Sequence, residues 1–253
     1  MILRKDKLTV KIYTTTREMS IDAARDVSNQ IKELLNQNEY INMIFAAAPS
    51  QSDFLKELVK YKEIEWERIN AFHLDEYINL HEDAPQRFGN FLKKEIFDLL
   101  PFRKIYYLDG NKSTEEECKR YADLLKKYPP NIVCLGIGEN GHIAFNDPHV
   151  AQFDDEEMVK VVVLDEMCRQ QQVNDKCFNK IEDVPKEALT LTIPTLLLAQ
   201  YLFCIVPFKT KAQAVYNTIN GEISEVYPAS VLRIKENTIL YLDKESSSLL
   251  NVQ

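Results

Sequence analysis

Asn131-Ile-Val-Cys-Leu-Gly136-Ile-Gly138-Glu-Asn140-Gly141-His142-Ile-Ala-Phe-Asn146-Asp147-Pro148 joins an apolar run to a glycine-rich turn and then to a polar segment. The chain has only 6 glycines, and Gly136, Gly138 and Gly141 are among them. Backbone freedom is concentrated where side chains would obstruct a tight turn. The spacing matches G-x-G-x-x-G, which in a dinucleotide-binding unit opens a helix whose N-terminus faces a pyrophosphate. Here Pro148 follows Gly141 too soon for a helix of normal length, so that reading is set aside. The turn instead gathers Asn140, His142, Asn146 and Asp147 at the carboxyl end of a strand. A histidine beside a carboxylate is the minimum equipment for moving protons near neutral pH. A lone histidine in a loop would more often be a structural hydrogen-bonding group. Three glycines and two further polar groups favour function.

Working outward, apolar runs and helical periodicities alternate along the whole chain. Ile21, Ala24, Val27, Ile31 and Leu34 predict a helix from Ser20, as N-cap, to Leu35. Strands are expected at 40–48, 66–74, 105–108, 131–135, 159–164, 201–206 and 238–242. Helices are expected to start at Phe54 and to cover 88–99, 114–127 and 209–219. The polar segment 168–183 has no clear period. No repeat, linker or low-complexity tract interrupts the series. The fold class is therefore α/β: one domain over residues 1–253, with a mostly parallel sheet covered by helices on both faces. In such sheets ligands bind beyond the carboxyl ends of the strands. The loops that fall there are 48–53, 74–87, 136–148 and 207–211.

Composition narrows the chemistry. The net charge is −8 with no dense Lys/Arg run, which argues against a nucleic-acid groove. No segment approaches the ~20 apolar residues needed to span a bilayer, and the N-terminus lacks a signal-peptide core. The 5 cysteines are an odd set without C-x-x-C spacing. They suit a reducing, cytoplasmic setting. The histidines are not paired at zinc-ligand spacing, so no metal is expected.

Three further groups lie in the expected ligand loops. Asp75 and Glu76, in Phe72-His-Leu-Asp75-Glu76-Tyr77, stand just past a strand. As a solvated turn they would do nothing. On the same rim as His142, Asp75 could serve as a base toward a carbon acid. Ala46-Ala-Ala-Pro-Ser50-Gln51-Ser52 leads into a helix, where an anion site and a plain N-cap are equally good readings. Lys209 and Lys211, after Val206-Pro-Phe, are either surface lysines or the cations for a sugar phosphate.

In this order the segments resemble the glucosamine-6-phosphate deaminase (isomerase) family, within the 6-phosphogluconolactonase superfamily, from about residue 15 to 243. The most specific pieces are Leu74-Asp-Glu-Tyr77, the run 136–148 and Val184-Pro-Lys-Glu-Ala-Leu-Thr190. The resemblance implies conversion of an amino-sugar 6-phosphate and water to a ketose 6-phosphate and ammonia, without a cofactor. It implies Asp75 as the base at C2 and His142 as the proton carrier at the ring oxygen. Asn140 and Asp147 would orient that histidine. Ser50, Gln51, Ser52, Arg169 and Lys211 are implied as phosphate ligands, with Arg169 on a lid over 168–175.

The chain departs from the family at several of these places. Family deaminases usually have Glu at the position of Asp147, often Asp at that of Asn140, and Gly-Gly-Thr in place of Ala48-Pro-Ser50. The acidic run 154–157 occupies a stretch where regulated members keep basic residues, so no activation by N-acetylglucosamine 6-phosphate is expected. Lactone hydrolysis, isomerisation of another sugar phosphate and non-catalytic sensing remain as alternatives. The identity of the sugar and self-association into a homo-oligomer also stay open.

Overall fold

Ile41–Phe45, Ile69–His73 and Ile132–Leu135 are buried at every position, as strands covered on both faces must be. The computed structural model describes residues 1–250 and places these three side by side in a sheet of eight strands. The chain opens with a hairpin, β1 (Ile2–Lys5) and β2 (Leu8–Ile12). Helix α1 (Thr16–Leu35), β3 (Ile41–Phe45), α2 (Ser52–Leu58) and β4 (Ile69–His73) follow. Next come β5 (Asp75–Tyr77), α3 (Phe88–Leu92, continued by a π-helical turn Lys93–Phe97), β6 (Lys104–Ile105), α4 (Thr114–Lys127) and β7 (Ile132–Leu135). The last part holds β8 (Val159–Val163), α5 (Glu166–Asn174), β9 (Glu187–Leu191), α6 (Ile193–Leu197), β10 (Tyr201–Val206), α7 (Ala212–Asn220) and β11 (Thr238–Leu242).

The large sheet has the order β1-β2-β11-β10-β7-β3-β4-β6, parallel throughout except for β1 at its edge. Alternate residues of each strand enter opposite cores. Ile41, Met43 and Phe45 pack with α1, α2 and α3, whereas Ile44 packs with α4, α6 and α7. This is the two-faced α/β architecture expected from the alternation. Among the described residues no helix is long and apolar enough to cross a membrane.

Two expectations need correction, and further elements lie where none was assigned. Helix α1 is capped by Thr15, whose side chain and that of Glu18 form a reciprocal capping box, and Ser20 is buried one turn inside. The 159–164 strand does not join the large sheet. As β8 it pairs antiparallel with β9, which pairs with β5, in a second sheet of three strands. Val161 and Val163 are exposed while Val162, between them, is buried, the pattern of a strand covered on one face along that part of its length. The polar segment after residue 165 contains helix α5, and the N-terminal hairpin was not anticipated.

Candidate active site

The carboxyl ends of β3, β4, β7 and β10 converge on one cavity. It is lined by residues 46–48, Ser50 and Gln51 after β3, by Leu74 and Asp75 after β4, by Gly136, Ile137, Gly138 and His142 after β7, and by Lys211 after β10. Gln171 and Gln172 of α5 form a further wall. Its volume is about 60 Å³, room for a few waters and well below the several hundred Å³ of a typical ligand site. Some of the wall must move to admit a larger ligand.

Asp75 sits where the chain leaves the large sheet and enters the small one. Its residue is only 7 % exposed. Burial, reinforced by the neighbouring charge of Glu76, raises its carboxyl well above the usual range. Glu76 is turned the other way, accepting the amides of Tyr77, Phe88 and Gly89 at 3.0–3.1 Å. The Asp75 backbone is fixed by His73, a residue the sequence did not single out. Leu108 N–H donates to His73 Nε2 at 2.9 Å, so Nδ1 carries the proton and donates to the Asp75 carbonyl, also at 2.9 Å. Burial lowers the His73 pKa to about 4, keeping the ring neutral.

The glycine turn closes on itself. Gly138 N–H donates to the His142 carbonyl at 2.9 Å and Gly141 N–H to the Gly138 carbonyl at 3.0 Å, with Gly141 at φ +89°. The imidazole of His142 lies directly against Gly138. A Cβ there would fall 2.2–2.4 Å from three ring atoms, so only glycine fits. His142 Nδ1 comes within 2.9 Å of Asp147 Oδ1, close but oblique to the N–H direction. Burial opposes the Asp147 charge, but His142, the Asn140 amide and the Asp165 N–H outweigh it, and its pKa is lowered. Phe145 N–H and Asn146 Nδ2 bolt the rest of the turn to Thr190 and Leu191 of β9.

Cys168 joins this group. Donor atoms of His142, Asp147 and Cys168 all lie within 4.8 Å of one another, an N/O/S set that no sequence spacing announced.

Lys211 is 2 % exposed, and its Nζ has no hydrogen-bond partner. Burial lowers its pKa, against the pull of Asp175 and Glu139. A buried ammonium on a cavity wall with its donors unused is poised for an anion. Ser50 and Gln51 line the same cavity; Ser52, the first residue of α2, does not.

Arg169 is also outside. Its guanidinium donates to the carbonyls of Ile181 and Val184 at 2.6 and 3.1 Å, tying α5 to the turn after it. Gln171 and Gln172, not Arg169, form the part of the wall that α5 supplies. The Gln171 side chain is held by the Glu139 N–H at 2.8 Å.

Residues 14–241 match the family model of glucosamine-6-phosphate isomerases/6-phosphogluconolactonase. A glucosamine-6-phosphate deaminase of Bacillus cereus (strain B4264) is 36 % identical over 220 residues, 87 % of this chain and 82 % of the relative. The same figures hold for a glucosamine-6-phosphate deaminase of Bacillus anthracis (strain CDC 684). Among solved structures, a monomeric glucosamine-6-phosphate deaminase superposes with TM-score 0.87 at 31 % identity, covering 95 % of this chain and 99 % of that one. The 6-phosphogluconolactonase of Trypanosoma brucei shares the fold, with TM-score 0.78 at 17 % identity over 99 % of this chain and 100 % of the other. The chain belongs to the glucosamine-6-phosphate isomerase/6-phosphogluconolactonase family.

Proposed function

We propose that this protein is an amino-sugar phosphate deaminase that isomerises as it hydrolyses. Glucosamine 6-phosphate, or a closely related hexosamine 6-phosphate, and water become fructose 6-phosphate, or the matching ketose phosphate, and ammonia. One observation carries the assignment of roles: a single cavity is lined by a buried carboxyl, a histidine with a carboxylate behind it and a buried unpaired ammonium. The kinship with deaminases at 36 % identity supports the same reading. We read residues 1–253 as one catalytic domain, of which 251–253 lie outside the described residues. Free cysteines throughout suit a reducing cytoplasm.

The steps follow from the chemistry of the groups. Lys211, with Ser50 and Gln51, holds the phosphate, so binding energy from a remote group orients C1 and C2. His142 moves a proton at the ring oxygen and the sugar opens to its C1 aldehyde. Asp75 removes the C2 proton, the electron pair forms the C1–C2 double bond, and the carbonyl oxygen at C1 takes up a proton given up by the substrate's C2 ammonium group, which yields an enolamine. The same carboxyl returns that proton to C1, leaving an iminium at C2. Water adds there, ammonia leaves, and the C2 ketone results. Burial makes the Asp75 carboxylate a stronger base than an exposed one.

The test is ammonia release from glucosamine 6-phosphate and galactosamine 6-phosphate, with Asp75→Asn as control. Release from one sugar that is lost in the control supports the reading. Hydrolysis of a 6-phosphogluconolactone without ammonia release from either sugar would replace it with the lactonase reading.

A further inference from the structure

Asn140 stands between two carboxylates. Its Nδ2 donates to Asp147 Oδ1 and to Asp165 Oδ2, each at 2.8 Å, while its Oδ1 accepts the His142 N–H at 3.0 Å. Both amide protons and the carbonyl are in use, which fixes the orientation of the group. Asp165 reaches Asp147 a second way, because its own N–H donates to Asp147 Oδ2 at 3.0 Å. Its other carboxylate oxygen caps α5 through the Cys168 N–H at 2.5 Å. Both oxygens of Asp147 are therefore pinned, one by residue 140 and one by residue 165.

We infer that Asp165 is a positioning residue for the His142–Asp147 pair, acting through Asn140, and that its carboxylate is the reason position 140 carries an amide and not an acid. An aspartate at 140 would set an oxygen 2.8 Å from two further carboxylate oxygens with no proton to share. Charges that close repel unless one group takes up a proton. The amide supplies a proton to each acid. It also transmits the location of Asp165 to the backbone of His142. Asp165 begins the helix whose Gln171 and Gln172 wall the cavity, so that wall and the histidine are built on one hydrogen-bonded chain.

The inference rests on the deaminase reading for its kinetic test, and a structural readout keeps the two separable. Asp165→Ser retains an acceptor for the Cys168 N–H but is too short to reach Asn140. Asp165→Asn keeps the shape but turns an N–H toward an N–H. Each is expected to lower kcat about tenfold with KM within about twofold and, for Asp165→Ser, an unchanged thermal midpoint. Asn140→Asp is expected to lose about a hundredfold, and adding Asp165→Asn to it should recover about tenfold, since one repulsive contact becomes a hydrogen bond. Wild-type kcat in Asp165→Ser, or losses that simply multiply in the double variant, overturns the proposal. Independently of turnover, the His142 backbone amide is followed by ¹⁵N NMR. A resonance that moves in Asp165→Ser supports the coupling, and one that stays put overturns it. Absence of ammonia release from every protein, wild type included, counts against the functional reading alone.

Discussion

Asp75→Asn should cut turnover steeply and stabilise the protein, with a stabilisation that grows with pH. The side chain is buried, and its folded-state pKa is raised by burial and by Glu76. The unfolded chain releases that proton near the ordinary value of about 3.9. Above it the folded state binds more protons than the unfolded one, so Asp75 erodes stability as pH rises toward the folded pKa. The limiting slope is about 1.4 kcal/mol per pH unit. Asparagine carries no proton to lose, so the variant lacks this slope. By pH 5, about one unit above the unfolded value, removing this buried carboxyl is worth about 1–2 kcal/mol, and the gain widens from there. For a chain of this size that is about 2–8 °C in thermal midpoint. The assay is calorimetry of both proteins from pH 5 to 8, because the difference cancels every group they share. Turnover should fall about 10²–10⁴-fold, the usual contribution of a positioned base. Inorganic phosphate should still stabilise the variant, since Lys211 is intact. A gap in midpoint that is flat or shrinks with rising pH refutes the burial argument, and undiminished ammonia release refutes the base.

Three other substitutions separate roles the geometry keeps apart. Gly138→Ala puts a methyl group 2.2–2.4 Å from the His142 ring, so kcat should drop about 10²–10⁴-fold while far-UV circular dichroism is unchanged. Near-normal turnover would show that the ring can leave its seat without cost. Lys211→Met should raise KM about 10–100-fold, the worth of one charge-assisted hydrogen bond, and cancel thermal stabilisation by inorganic phosphate. An unchanged KM would remove Lys211 from the phosphate site. Arg169→Gln should leave KM within about twofold but lower the midpoint by about 3–6 °C, since two carbonyls lose a charged donor. A large rise in KM with an unchanged midpoint would return Arg169 to the ligand.

The elements that were legible in the sequence are those whose residues meet only other parts of the protein. Ile41–Phe45, Ile132–Leu135 and Tyr201–Val206 are unbroken apolar runs because both of their faces are covered, and their order gave the parallel sheet and its ligand-bearing rim. The hairpin of β1 and β2 was hidden because the edge strand β1 carries Arg4 and Lys5 and its neighbour β2 carries Lys11, which breaks the apolar signal. Helix α5 was hidden for a different reason. Its buried positions are Cys168, Gln171 and Gln172, and the two glutamines face the cavity, so the apolar stripe that betrays a helix is missing.

The resemblance suggested Arg169 as a lid arginine, whereas in the fold its guanidinium meets two carbonyls and the cavity wall at α5 is made of uncharged amides. A site is thus hardest to read where it is most developed, since residues chosen for a ligand abandon the periodicity that reveals the fold. Asn140 illustrates the point. Next to His142 in sequence it looks like a lost aspartate, and only the fold brings in Asp165, 2.8 Å away, to show that the acid has a counterpart on another segment. The consequence of an amide at residue 140 for catalysis is then to be judged together with the carboxylate of residue 165.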